Sequence, residues 1–150
     1  MEISVISYGH PLWDKTISFA ENCSWRAGPY LARKMRNNEF EKIERVIVAT
    51  ENNMPVGFCT FILKEDELPE DTKQSPFIGF VFVDEKSRGK RISKKMIDAA
   101  LDYSKTNGYQ IVYLISGEIG LYEKYGFKKI GNVTNINNKS EQLFQKKLAK

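Results

Sequence analysis

Between Val83 and Ser93 the chain reads Val83-Asp84-Glu85-Lys86-Ser87-Arg88-Gly89-Lys90-Arg91-Ile92-Ser93, and Lys86, Arg88, Lys90, Arg91, Lys94 and Lys95 put six cations into ten residues. A basic run alone is ordinarily a solvated face. Its neighbours change that reading. Phe77 to Val83 is an apolar stretch that reads as a strand buried on both faces, and Ile92, Met96 and Ala100 recur at every fourth residue, as on an amphipathic helix. The cations therefore fall in a turn between a buried strand and a helix start. There the first N–H groups lack internal partners and sit at the positive end of the helix dipole, an arrangement that holds phosphates. Gly89 lets the backbone come close to an anion. Arg88, Lys90 and Arg91 add charge, and an arginine can hold two phosphate oxygens at once. The segment predicts a diphosphate or a similar anion bound at Arg88, Gly89, Lys90, Arg91, Ile92 and Ser93.

Several elements must position this turn. Residues 2–8 read as a strand, with helices expected from about Leu12 to Asn22 and from Tyr30 to about Asn38. Val46 to Ala49 and Val56 to Leu63 read as a hairpin across Asn52-Asn53-Met54-Pro55. The basic turn leads into a long helix that ends at Asn107-Gly108, as at a left-handed cap. Ile111 to Ile115 is a buried strand, a short helix is expected near Leu121 to Tyr125, and Phe127 to Val133 and Gln142 to Leu148 are two last strands. This order implies an α+β sheet with a crossover helix between the strands at 77–83 and 111–115.

The 150 residues suit one domain, expected to span 1–150, with 41% hydrophobic residues to fill its core. Cys23 and Cys59, the only cysteines, show neither metal spacing nor a disulfide framework, so a cytoplasmic protein without a metal is expected. No signal peptide is visible after Met1, and no apolar run nears the ~20 residues a membrane helix needs. A net charge of +4 is too small by itself to imply nucleic acid, and residues 84–95 contain no aromatic to stack on bases. Neither nucleic acid nor membrane is expected as a partner.

Arg88-Gly89-Lys90-Arg91-Ile92-Ser93, after a strand ending in Val83, resembles the signature of the GCN5-related N-acetyltransferase (GNAT) family. That signature is Arg or Gln, two residues, Gly, one residue, then Gly or Ala. Arg88 matches; Arg91 stands where Gly is usual and Ser93 where Gly or Ala is usual. Leu121-Tyr122-Glu123-Lys124-Tyr125-Gly126-Phe127 is similar to the family's C-terminal signature, a Tyr ahead of Gly-Phe, and it lies in the right place in the order. The resemblance implies a mixed, mostly antiparallel sheet flanked by helices, with two parallel strands splayed near residues 83 and 115. It also implies acetyl-coenzyme A as cosubstrate. The backbone of the basic turn would take its pyrophosphate, the main chain at Phe82 and Val83 its pantetheine arm and thioester oxygen, and Tyr125 belongs with these binding residues.

On that resemblance the activity is N-acetyl transfer, in which an amine attacks the thioester directly. The leaving thiolate needs a proton, and the resemblance makes Tyr122 its source. A base or water chain must take a proton from the amine. Relatives often carry an acid on the central strand, but Phe77 to Val83 has none. Glu118 is the nearest acid in sequence to the expected sulfur position and is the candidate base; a water route remains open, and His10 is assigned to a surface turn. The acceptor is expected to be a small-molecule or peptide amine, shaped in relatives by the loop that corresponds to Ser24–Tyr30 and drawn in by the acidic loop Glu65–Asp71. A coenzyme-binding module without catalysis is the alternative. Relatives often pair through their C-terminal strands, which leaves a homodimer open.

Overall fold

The computed structural model describes residues 1–148. In chain order it contains β1 (Glu2–Ile6), α1 (Trp13–Asn22), α2 (Gly28–Arg36), β2 (Arg45–Glu51), β3 (Met54–Ile62), β4 (Phe77–Val83), a 3-10 turn (Glu85–Ser87), α3 (Ile92–Thr106), β5 (Ile111–Ser116), α4 (Leu121–Lys124), β6 (Lys128–Thr134) and β7 (Ser140–Lys147). The strands form one seven-stranded sheet in the order β1-β2-β3-β4-β5-β7-β6. The β4–β5 pair is parallel and the other pairs are antiparallel. The mixed α+β class, the order of elements and the α3 crossover are as the sequence implies.

Local chemistry accounts for three of the boundaries. Asn52 and Asn53 take positive φ angles, 51° and 65°, and close the β2–β3 hairpin; asparagine tolerates this geometry. Met54 and Pro55 belong to β3 and not to the turn. α2 starts two residues earlier than expected, because Pro29 sits within its first turn, where its missing N–H costs nothing. Gly108, at φ 88°, ends α3.

The strands bury both faces by period-two alternation. Ile47, Ala49, Cys59 and Phe61 point to the layer of α3, and Val46, Val48 and Phe58 point to that of α1 and α2. α3 lays Ile92, Met96, Ile97, Ala100 and Leu101 on the first layer. Trp13, Ala20, Leu31, Ala32 and Met35 cover the second. Truncating a buried side chain such as Met96 costs about 2–5 kcal/mol. Among the described residues no helix is long and apolar enough to cross a membrane, and no cluster of His, Cys, Asp or Glu could hold a metal ion.

Candidate active site

The site begins with a defect in the sheet. Phe58 pairs with Phe82 and Thr60 with Gly79, so Cys59 of β3 faces two residues of β4, Phe80 and Val81. This β-bulge puts Phe80 at φ 49°, a left-handed conformation that a bulky residue rarely takes. A bulge bends its strand and adds twist. β4 and β5 accordingly pair only at Phe77 and Tyr113 and then separate. The gap opens towards Val83 and Ile115, into a cleft of about 2440 Å³.

At one end of this cleft lies the basic turn. Gly89 has φ 87° and open space around its Cα, and Arg91, at φ 60°, is the residue before α3. Arg91 occupies a left-handed position that favours glycine, at a cost on the order of 1 kcal/mol. The backbone path usual for a glycine is therefore kept despite the side chain. Among the described residues no side chain caps α3, a helix of 15 residues, so the donors of its first turn are open to an anion. Arg88 lies back on its own strand. Its Nε–H donates to the Val83 carbonyl at 3.0 Å, and its guanidinium sits 5.7 Å from the centre of the Phe82 ring. Lys90 turns away and pairs with Glu51 at 3.6 Å.

Tyr122 stands further along the cleft. Its ring packs edge-on or tilted against Tyr125, Phe127 and Phe144, with centroids 6.0, 6.1 and 5.8 Å away. The residue is buried. Burial, with smaller contributions from Cys59, Glu118 and Tyr125, holds its phenol well above the ordinary tyrosine range. It stays protonated at physiological pH. Phe82, Val83, Arg88, Gly89, Arg91, Ile92, Ser93, Glu118, Tyr122 and Tyr125 all line this one cleft. Of the sequence-derived site residues, Lys90 alone stands outside it.

Residues 42–129 match the acetyltransferase (GNAT) domain family, which is more than half of the chain. The chain belongs to the GNAT acetyltransferase family. No curated protein matches its sequence. Among solved structures, it is similar to an aminoglycoside 6'-acetyltransferase type Ii, with a TM-score of 0.77 and 18% identity over 100% of this chain and 99% of that one. An aminoglycoside 6'-N-acetyltransferase complexed with coenzyme A gives a TM-score of 0.74 at 16% identity, covering 100% of this chain and 98% of that one. One from Enterococcus faecium gives 0.71 at 18%, with the same coverage. At these identities the likeness concerns the fold.

The other half of this GNAT cleft was less legible. Trp25, in the α1–α2 loop, stacks on Phe82 at 5.8 Å with the rings 3° from parallel, so it lines the cleft and seals the core edge at once. Ser24 hydrogen bonds Glu85, tying that loop to the basic turn. Glu118 is exposed, and Gln142 Nε2 donates to its backbone carbonyl at 2.8 Å. His10 lies on the surface as expected, with Nδ1 accepting from the Leu12 N–H at 3.0 Å. The sequence reading missed Glu65 as an individual residue. Its carboxyl lines the cleft beside Gly79 and Phe80, and burial pushes it up to about 7. Its sequence signal was membership of the acidic loop, which reads equally well as a solvated hairpin connection.

Proposed function

We propose that this GNAT protein transfers an acetyl group from acetyl-coenzyme A to a primary amine, by direct attack of the amine on the thioester. The observation that carries the reading is the layout of one cleft. An uncapped helix start with left-handed Gly89 and Arg91 stands at one end, a protonated Tyr122 further along, and a gap between β4 and β5 in between. The cosubstrate supplies the activated acyl group and the leaving thiol. The N–H groups at the start of α3, with Gly89, Arg91, Ile92 and Ser93, fit its diphosphate. The end of β4 at Phe82 and Val83 fits the pantetheine arm, with Arg88 already holding the Val83 carbonyl. Tyr125 braces the phosphate turn through Ser93, and Lys90 contributes only long-range charge.

Tyr122 donates the proton that the departing sulfur needs. Its raised pKa supports a donor that is protonated before the reaction and recovers its proton afterwards. The acceptor enters past Trp25 and Tyr30 on one side and the acidic loop on the other, which suits a cationic small molecule or a peptide amine. The enzyme works as one domain, and two free thiols, Cys23 and Cys59, suit a reducing cytoplasm. A panel of amines, assayed for release of the coenzyme thiol, tests the reading; binding of the cosubstrate with no thiol release from any amine would favour a sensing module instead. The absence of an acid on β4 is the observation behind that second reading.

A further inference from the structure

We infer that Glu65 is the group that takes the proton from the acceptor amine, and that it reaches the reaction centre from the β3–β4 loop instead of from β4. The inference rests on the acetyl-transfer reading and names a residue for its missing step.

β4 carries no titratable side chain, so a side chain that takes the proton has to come from another element. The sheet provides a place for one. A methyl group at Gly79 would meet Glu65 Oε1 at 3.1 Å, Ile62 Cδ1 at 3.1 Å and Thr60 Oγ1 at 3.2 Å. The carboxyl therefore lies against bare backbone, one residue before the bulge at Phe80. Gly79 admits it because glycine has no side chain there. Glu65, Gly79, Phe80 and Tyr122 line the same cleft. Thr60 Oγ1, buried and without a hydrogen-bond partner among the described residues, sits beside the same point.

The loop holds Glu65 without neutralising it. The Glu67 N–H donates to Oε2 at 3.1 Å, and no lysine or arginine pairs with the carboxylate among the described residues. The charged groups facing it are Glu67 and Asp66 on its own loop and Glu141 on β7. Lys34 of α2 is engaged with Asp66 at 3.2 Å. Burial first, and then these like charges, lift Glu65 to about 7 against the pull of the Glu67 N–H. A base titrating near the working pH is both ionised often enough and basic enough to act.

The step balances as follows. The acceptor arrives as an ammonium and gives one proton to the Glu65 carboxylate. The freed nitrogen pair forms the C–N bond, and the C–S bond breaks. The second nitrogen proton goes to the sulfur, directly or through the Tyr122 hydroxyl, and Glu65 returns its proton to solvent. An amide and a free thiol are the products.

The test uses Glu65→Gln and Gly79→Ala in the full chain. Glu65→Gln is expected to lower kcat by roughly 10²- to 10³-fold and to remove the acidic limb of the pH profile near pH 7, with acetyl-coenzyme A binding by calorimetry retained. Gly79→Ala, which pushes the carboxyl out while keeping it ionisable, is expected to lower kcat with the coenzyme titration likewise retained. A readout independent of turnover is the melting temperature. The gap between Glu65→Gln and the parent is expected to widen between about pH 4.5 and 7, because only the parent carries a titrating carboxyl there. Full activity of Glu65→Gln with the acidic limb intact, or loss of that limb in Glu118→Gln instead, overturns the assignment while leaving acetyl transfer standing. A parent protein that acetylates no amine overturns the transfer reading and this assignment with it.

Discussion

The hydroxyls of Ser93 and Tyr125 lie 2.7 Å apart and join the start of α3 to the end of α4, 32 positions later in the chain. Ser93 is in the first turn of α3, beside the donors suited to a diphosphate, and Tyr125 packs on Tyr122. One hydrogen bond thus ties the basic turn to the aromatic group around Tyr122, the proposed proton donor. A glycine or alanine at position 93 could not make it. The departure from the family signature at Ser93 carries a structural role of its own.

Removing either hydroxyl, in Ser93→Ala or Tyr125→Phe, is expected to cost about 0.5–1.5 kcal/mol of stability. The double variant should cost less than the two single costs added, since both remove the same bond. Chemical denaturation of the four proteins checks this.

Tyr122→Phe is expected to keep acetyl-coenzyme A binding and to lower kcat by about 10²-fold, the lower end for a lost general acid. Burial holds the phenol above its ordinary value of 10.0, so its ionisation should cause no loss of activity up to about pH 10. Steady-state rates, with chemistry shown to limit turnover, read both points.

The two left-handed residues of the basic turn should respond in opposite ways. Gly89→Val forces a β-branched residue to φ 87° and is expected to weaken coenzyme binding by 10-fold or more, from a strain of about 1–3 kcal/mol. Arg91→Gly relieves the strain at φ 60° and removes one charge. It should raise thermal stability slightly, retain binding through the backbone, and flatten the dependence of affinity on salt. Calorimetry at two ionic strengths separates the cases.

Glu65 carries a stability signature whose sign is fixed. Its folded pKa, about 7, lies above its ordinary 4.5, so the protonated form is favoured by folding. The fold is then most secure below about pH 4.5 with respect to this group and loses that contribution as pH rises through 7. Glu65→Gln, which cannot ionise, is expected to be more stable than the parent at pH 8. Thermal melts at pH 5 and pH 8 measure it.

The strand–turn–helix layout of the basic segment was legible because it depends on local order: an apolar strand, a glycine, cations, and a four-residue apolar repeat lie consecutively between Phe77 and Ala100. The same holds for the hairpin at Asn52-Asn53 and the cap at Gly108, where residue type matches backbone geometry. Insertion of β7 between β5 and β6 was not legible, because it depends on pairing between strands whose sequences alternate only weakly. Nor was the bulge at Phe80, which arises from the offset of β4 against β3 and leaves no mark in an apolar run. Glu65 was hidden for a related reason. Its neighbour in space is Gly79, and nothing in either local sequence announces the meeting. Lys90 shows the converse: it belongs to the basic run, yet Glu51 on β2 takes it away from the cleft.

The measurement that bears most directly on the central claim is a calorimetric titration of acetyl-coenzyme A into the purified protein, with adenosine diphosphate as the control for the nucleotide end. Micromolar binding of the coenzyme, much tighter than the control, is the predicted result, since the turn and the β4–β5 gap would both be engaged. No binding to a protein shown to be folded would contradict the account.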